Sequence, residues 1–304
     1  MDRVDREILS LVDRAYAPAT HLAYQQGILA YQEFCSTVRI RSNLPTDQHV
    51  VARFVAHLSL LGRAAATAKN YLAGLSACHR VNGWPDPTDS FLVKTILRGM
   101  CRSSKTPDSR YPITLQRLEE LLPSLASVCS NSYEVRLFKA AFSMAFFGFL
   151  RVSEMLGQRF TGGGGRGPLK LTSVKVELSK VTVNLSGSKT NQLGHVEVVQ
   201  IEKESSPDLC PVKALQQFLL VHPGNSDFLF VHFNGAPLKR HQFQSVLKKA
   251  ARILGWPKGG FSSHSFRIGA ATSAAANGVP LENIMLKGRW KSAAVSGYIR
   301  PEWA

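Results

Sequence analysis

Apolar residues recur at helical spacing through about the first hundred residues. One predicted helix, for which Thr46 is the expected cap, has an apolar face formed by Val51, Phe54, Val55, Leu58 and Leu61. The next helix carries Tyr71, Leu72, Leu75 and Cys78 and is expected to end at Gly83. Because the alternation typical of strands is missing from this part, the pattern predicts a small all-α domain over residues 1–104.

The pattern changes after a short segment at 105–112, whose Ser, Pro, Asp and basic residues are typical of a linker. Helical spacing is found at 115–125, 133–155, 211–221, 239–254, 265–277 and 281–288. Between these helices, residues 174–201 alternate apolar and polar side chains, are rich in valine and contain a Gly-Ser turn, which predicts about three antiparallel strands. The expected fold is therefore mainly α with a small antiparallel sheet, and its second domain, at 113–304, is α+β.

Charge gives the first indication of a partner. The chain of 304 residues has a formal net charge of +16, and such an excess favours a polyanion, either nucleic acid or an anionic membrane surface. A soluble basic protein with no such partner is the plainer alternative. In the helical domain, Arg53, Arg63 and Lys69 are available to contact phosphates.

Other classes of protein are disfavoured. The most apolar stretch, Ala140 to Leu150, is far shorter than the roughly 20 residues that cross a bilayer, so no membrane partner is expected. The five cysteines are widely spaced and form no C-x-x-C pair, which predicts neither a disulfide framework nor a zinc site. The charged beginning MDRVDREILS does not resemble a secretory signal.

Several polar side chains occupy positions that suit work on a phosphate. Arg151 follows the apolar run FFGFL with Glu154 one turn later, and His264 and Arg267 are three residues apart at the start of an alanine-rich helix. Two arginines on separate elements can clamp a phosphate. Tyr298 would need cationic neighbours to act as a nucleophile, because free tyrosine has a pKa of about 10. Each of these residues, taken singly, has an ordinary structural explanation such as a salt bridge or a core contact.

The order of these residues carries more information than any one of them. Along the chain stand Arg151, Lys189, His264, Arg267, Trp290 and Tyr298. This order, with the local sequences GFLRVSEML, HSFRIGAAT and GRWKSAAVSGYIR, resembles the tyrosine recombinases, also called the phage integrase family. The resemblance spans essentially the whole chain, since a helical, SAM-like core-binding domain precedes the catalytic domain in that family. The segments SKTNQ and GRWKS are most similar to those of recombinases of eukaryotic mobile elements, of the retrotransposon or crypton type.

The resemblance implies a DNA recombinase or integrase that needs no metal and no cofactor. Tyr298 would attack the scissile phosphate of double-stranded DNA and leave a 3′-phosphotyrosine and a free 5′-hydroxyl. Arg151 and Arg267 would neutralise the phosphate, Lys189 would protonate the leaving oxygen, and His264 would accept the tyrosine's proton. Glu154 would support Arg151 and His264. Self-association on DNA as a dimer or tetramer is also implied, with a nuclear location for a eukaryotic source and a cytoplasmic one otherwise.

The match with the family pattern leaves alternatives open. Familiar members have an aromatic residue or histidine nine positions before the nucleophile, whereas Trp290 stands eight before Tyr298 and Arg289 nine before it. We expect Trp290 to fill this position, with Arg289 as the alternative. For the whole protein, the alternatives are a non-catalytic DNA-binding protein derived from a mobile-element recombinase and a type IB topoisomerase.

Overall fold

A computed structural model describes residues 2–103, 110–159, 165–186 and 196–303 of the chain. The chain forms two compact units, Met1–Pro107 and Asp108–Ala304. Each unit has a hydrophobic core of its own.

The described part of the first unit is helical, as the apolar spacing predicted. Its α-helices are α1 (Arg3–Arg14), α2 (Pro18–Thr37), α3 (Gln48–Leu60), α4 (Ala65–Val81) and α5 (Phe91–Ser103). Helices α2 and α4 approach so closely that a Cβ atom on Gly27 would lie 2.6 Å from the carbonyl oxygen of Tyr71. A Cβ on Gly74 would lie equally close to the carbonyl of Tyr24. These two glycines therefore permit contact between the helix backbones.

The expected helix cap at Thr46 was wrong by one residue. Asp47 is the N-cap of α3, and its carboxylate accepts a hydrogen bond from the His49 backbone N–H at 2.7 Å. The Thr46 hydroxyl instead accepts from the Tyr31 hydroxyl at 2.6 Å, and its N–H donates to buried His79 at 3.0 Å. Thr46 therefore links the start of α3 to α2 and α4.

The second unit combines helices with two small sheets. Its helices are α6 (Leu115–Val128), α7 (Ser132–Phe147), α8 (Val152–Met155), α9 (Pro211–Leu219), α10 (Arg240–Ile253), α11 (Ser265–Ala276) and α12 (Leu281–Gly288). Its strands are β1 (Gln158–Arg159), β2 (Gly165–Arg166), β3 (Val174–Val176), β4 (Lys180–Ser186) and β5 (Val196–Glu202). Short 3₁₀ helices follow at Ala293–Tyr298 and Pro301–Trp303.

The three predicted antiparallel strands are confirmed as β3, β4 and β5, paired in that order. On β4, Val181 and Val183 are buried and lie opposite Ile201 and Val199 of β5. One face of the sheet is thus part of the core, and the alternation in the sequence reflects that one-sided burial. Together with the helical first unit, this confirms the expected mainly α fold.

The single helix expected at 133–155 was wrong. Helix α7 ends at Phe147, and Phe149 adopts a left-handed backbone with φ of +47° before Arg151 caps the short helix α8. Phe149 and Leu150 are both buried, so core packing holds a turn that the helical spacing did not indicate. Arg151 therefore caps the start of a separate helix and does not lie within one helix from 133 to 155.

Helix α11 runs through the centre of the second unit. Ser265 accepts a backbone hydrogen bond from Ile113, and a Cβ on Gly269 would lie 1.6 Å from the Ile113 carbonyl oxygen. The small residues of α11 thus allow the segment entering this unit to lie directly on the helix. Within the described residues, no helix combines the length and the apolar character needed to cross a bilayer.

Candidate active site

A cavity of about 530 Å³ opens in the second unit where four segments meet. Its walls come from the turn before α8, the first residue of α10, the start of α11 and the chain from α12 to Tyr298. Five of the six residues proposed from the sequence as catalytic line this cavity, namely Arg151, His264, Arg267, Trp290 and Tyr298. The sixth, Lys189, lies outside the described residues.

Arg151 is held by Glu154. The guanidinium Nη1 donates to Glu154 Oε1 at 2.9 Å, and the backbone N–H of Arg151 donates to Oε2 at 2.8 Å. Only 2% of Glu154 is exposed, against 17% of the Arg151 side chain. A buried carboxylate thus fixes the direction of a guanidinium that still reaches the cavity.

Arg289 shares the same carboxylate. Its Nη2 donates to Glu154 Oε2 at 2.6 Å, and its Nε lies 3.6 Å from Glu197 Oε2 on β5. The residue follows α12 with a left-handed backbone, φ of +56°, and its side chain is only 11% exposed. Burial lowers the pKa of Arg289, while Glu154 opposes this change. Arg289 therefore ties the chain leading to Tyr298 to Glu154 and to the sheet.

Arg267 is completely buried at the floor of the cavity. Its two terminal nitrogens donate to the backbone carbonyls of Phe149 and Gly288, which belong to two other walls. Burial, reinforced by neighbouring arginines, lowers the pKa of Arg267 to about 9, so the guanidinium remains charged at neutral pH. Arg267 thus supplies positive charge and joins three segments.

His264 occupies the N-cap position of α11, three residues before Arg267. Its ring centroid lies 6.2 Å from that of Tyr298. Burial, followed by the nearby positive charges of Arg110, Arg267, Arg240 and Arg151, lowers the pKa of His264 to about 4. The imidazole is therefore neutral at pH 7, and one of its ring nitrogens can accept a proton.

Trp290 lies between Arg267 and Tyr298. The Arg267 guanidinium carbon is 4.1 Å from the indole centroid, and the Tyr298 ring is 4.9 Å from it. Gly288 makes room for the indole, because a Cβ there would lie 1.7 Å from Trp290 Cζ3. In this geometry Trp290 contacts the tyrosine, whereas Arg289 points toward Glu154 and Glu197.

Tyr298 is half-buried at the end of a 3₁₀ turn. Its backbone carbonyl accepts a hydrogen bond from the Thr272 hydroxyl at 3.3 Å, and the Arg300 N–H donates to the same hydroxyl at 3.1 Å. The guanidinium carbon of Arg267 lies 5.8 Å from the Tyr298 ring. Helix α11 thus anchors the tyrosine segment and also carries two of the residues beside it.

Arg53, Arg63 and Lys69, proposed from the sequence as phosphate contacts, are all exposed in the first unit. Arg240, which the sequence reasoning missed, lines the cavity as the first residue of α10. Lys239 and Arg240 stand together at the N-terminus of the helix predicted at 239–254, where positive charges oppose the helix dipole. This unfavourable placement is the sequence signal that could have identified Arg240.

Comparison with known proteins gives matches on both units. Residues 9–81 match the model of the phage integrase N-terminal SAM-like domain, and residues 167–301 match that of the phage integrase family. Together these matches cover more than half of the chain. The chain belongs to the phage integrase family. The members of this family are the tyrosine recombinases, so the family resemblance read from the sequence is confirmed.

Individual members of the phage integrase family align with most of the chain. Recombinase cre of Escherichia phage P1 is 24% identical over 287 residues, which cover 86% of this chain and 78% of that protein. The integrase/recombinase xerD homolog of Selenomonas ruminantium is 22% identical over 314 residues, covering 96% of this chain and 84% of that protein.

Solved structures of tyrosine recombinases share the fold. A lambda integrase dimer bound to a COC′ core site has a TM-score of 0.67 and 16% identity, covering 98% of this chain and 76% of that one. XerH bound to palindromic difH substrate has a TM-score of 0.66 and 18% identity, covering 91% and 74%. The phage integrase match at 167–301 includes four of the five proposed catalytic residues that line the cavity, and it begins after the fifth, Arg151.

Proposed function

We propose that this chain is a site-specific DNA recombinase that cleaves and rejoins DNA through a phosphotyrosine at Tyr298. The observation that carries the proposal is the position of Tyr298 in one cavity with a charged arginine, Arg267, and a neutral histidine, His264. A phenol needs both partners: a base for its proton and positive charge for the phosphate that it attacks.

The proposed reaction exchanges one phosphodiester for another. The Tyr298 oxygen bonds to phosphorus, His264 takes the phenolic proton, and the bond from phosphorus to the 5′ oxygen breaks. Lys189 gives a proton to that oxygen, which leaves as a hydroxyl. Arg151 and Arg267 offset the charge on phosphorus, and Glu154 orients Arg151. Attack by a 5′-hydroxyl reverses the steps, and no nucleotide or metal is consumed because the bond energy is kept in the protein link.

DNA is the proposed partner for two reasons. The net charge of +16 favours a polyanion, and the similar lambda integrase and XerH structures are bound to DNA sites. We extend to this chain the dimeric state of the lambda integrase complex, with assembly on DNA as a dimer or tetramer. The chain is proposed to serve a eukaryotic mobile element of retrotransposon or crypton type, with a nuclear location.

The test is a covalent protein–DNA adduct. The protein is incubated in EDTA with a pool of nicked duplexes, which trap the cleaved state because the short 5′-hydroxyl fragment diffuses away. Products are separated on a denaturing gel. Wild-type protein is expected to give an adduct that Tyr298→Phe abolishes. The control Tyr111→Phe also removes one hydroxyl in the second unit, outside the cavity, and is expected to leave the adduct intact.

The opposite result would support the alternative function. DNA that is retarded on a native gel across the whole pool, with no covalent band, would indicate a non-catalytic DNA-binding protein derived from a recombinase. Relaxation of supercoiled DNA without any preference for sequence would indicate a topoisomerase of the same chemistry.

A further inference from the structure

Arg240 occupies a wall of the cavity that neither Arg151 nor Arg267 forms. It is exposed at the start of α10, and its Nη2 lies 3.5 Å from the Ser263 hydroxyl, beside His264. No carboxylate among the described residues pairs with it. The charged guanidinium group of Arg240 therefore faces the cavity, and most of its five N–H donors are available to a ligand.

The two arginines assigned to the phosphate, Arg151 and Arg267, are more fully engaged by the protein. Both terminal nitrogens of Arg267 donate to backbone carbonyls, and the side chain is buried. One terminal nitrogen of Arg151 donates to Glu154, whose negative charge offsets part of the positive charge. Additional charge and open donors are thus supplied by Arg240.

The position of Arg240 is unfavourable for the helix that carries it. The N-terminus of α10 bears the positive end of the helix dipole, and Lys239 and Arg240 add two cations there. Its charge also contributes to the low pKa of His264. An anion in the cavity would relieve this local excess of positive charge.

We propose that Arg240 is a further catalytic residue, which donates hydrogen bonds to a non-bridging oxygen of the scissile phosphate. This role rests on the proposed function. A phosphodiester carries one negative charge and gains a second when the deprotonated Tyr298 oxygen adds to phosphorus. Arg240 would offset this second charge, because Arg151 and Arg267 are already partly committed to other groups.

The experiment measures the rate of adduct formation by the whole chain at saturating DNA. One nicked duplex has a normal scissile phosphate, and the other has a methylphosphonate there, which removes one negative charge. The variants are Arg240→Gln, Arg240→Lys and the control Arg252→Gln. Arg252 is an exposed arginine near the opposite end of α10, outside the cavity lining.

Arg240→Gln is expected to slow adduct formation about 100-fold on the normal phosphate, and at most about 3-fold on the methylphosphonate. Arg240→Lys, which keeps the charge, is expected to recover part of the rate. Arg252→Gln is expected to match wild type on both duplexes. A merely structural role for Arg240 would slow both duplexes equally.

Three results would overturn the role of Arg240. Equal slowing on both duplexes would mean that Arg240 contacts another phosphate or only supports the fold. Wild-type rates in Arg240→Gln, with an adduct that still requires Tyr298, would remove Arg240 and leave the proposed function standing. No Tyr298-dependent adduct from wild type on either duplex would overturn the proposed function and this role together.

Discussion

The most quantitative prediction concerns the protonation of His264. Its pKa in the folded chain is lowered from 6.5 to about 4. Between these values the unfolded chain binds a proton that the folded chain does not. The stability contributed by the neutral ring is therefore complete above about pH 6.5 and is lost as the pH falls toward 4. Since one pKa unit corresponds to about 1.4 kcal/mol, the free energy of unfolding should fall by about 3 kcal/mol over this window.

The assay is urea unfolding of wild type and His264→Gln at several values between about pH 7.5 and pH 4. Tryptophan fluorescence reports mainly on the second unit, which contains Trp256, Trp290 and Trp303. Because other groups titrate equally in both proteins, the difference between their free energies of unfolding isolates His264. We expect this difference to change by about 3 kcal/mol.

The control is His241→Gln, which removes a histidine exposed on α10. This variant measures the effect of removing an imidazole from the surface of the second unit, and its unfolding free energies are compared with those of wild type at each pH. Parallel pH curves for wild type and His264→Gln would refute the reasoning. They would mean that the folded protein can charge the ring at little cost.

Three further substitutions test the packing around the cavity. Gly269→Ala would bring a Cβ to 1.6 Å from the Ile113 carbonyl oxygen, and it is expected to lower the free energy of unfolding by about 3 kcal/mol. Gly288→Ala would displace the indole of Trp290, with an expected loss of about 100-fold in the rate of adduct formation and a changed tryptophan spectrum. Glu154→Gln would leave the guanidinium groups of Arg151 and Arg289 without their shared carboxylate. It is expected to lower the free energy of unfolding, measured in urea, by about 3 to 5 kcal/mol.

Each substitution has a matched control. Gly99→Ala adds a Cβ in open space within α5 and is expected to stabilise the chain by about 0.5 to 1 kcal/mol. Glu119→Gln removes an exposed carboxylate from α6 and is expected to change stability by less than about 0.5 kcal/mol. Losses of less than about 0.5 kcal/mol in Gly269→Ala or Glu154→Gln would contradict the described contacts. An unchanged tryptophan spectrum and an unchanged rate of adduct formation in Gly288→Ala would contradict the described packing of Trp290 against Gly288.

Local periodicity was enough to predict most of the fold. The amphipathic pattern of α10 and the alternation along β4 record which side of each element meets the core, and this information lies within a few neighbouring residues. The turn at Phe149 was missed because its left-handed backbone is held by burial and by Arg267, which is 118 positions away in the chain. No pattern within the segment records that contact.

The residues of the candidate site could be predicted because their order along the chain resembles that of the phage integrase family. His264, Arg267 and Tyr298 do line one cavity, yet nothing in their spacing shows that Arg267 bonds to carbonyls on two other walls. The contacts of Arg289 with Glu154 and Glu197 could not be predicted from spacing either, because they join distant parts of the sequence. The resemblance indicated which residues matter, and the fold was needed to define what each contacts.

The proposed function requires that Tyr298 becomes covalently attached to DNA. The most direct measurement is mass spectrometry of the protein–DNA adduct after digestion with nuclease and trypsin. We predict a nucleotide phosphate on Tyr298, in the peptide that begins at Ser292 after cleavage at Lys291. An adduct on any other residue, or DNA binding without an adduct at any site, would contradict the claim.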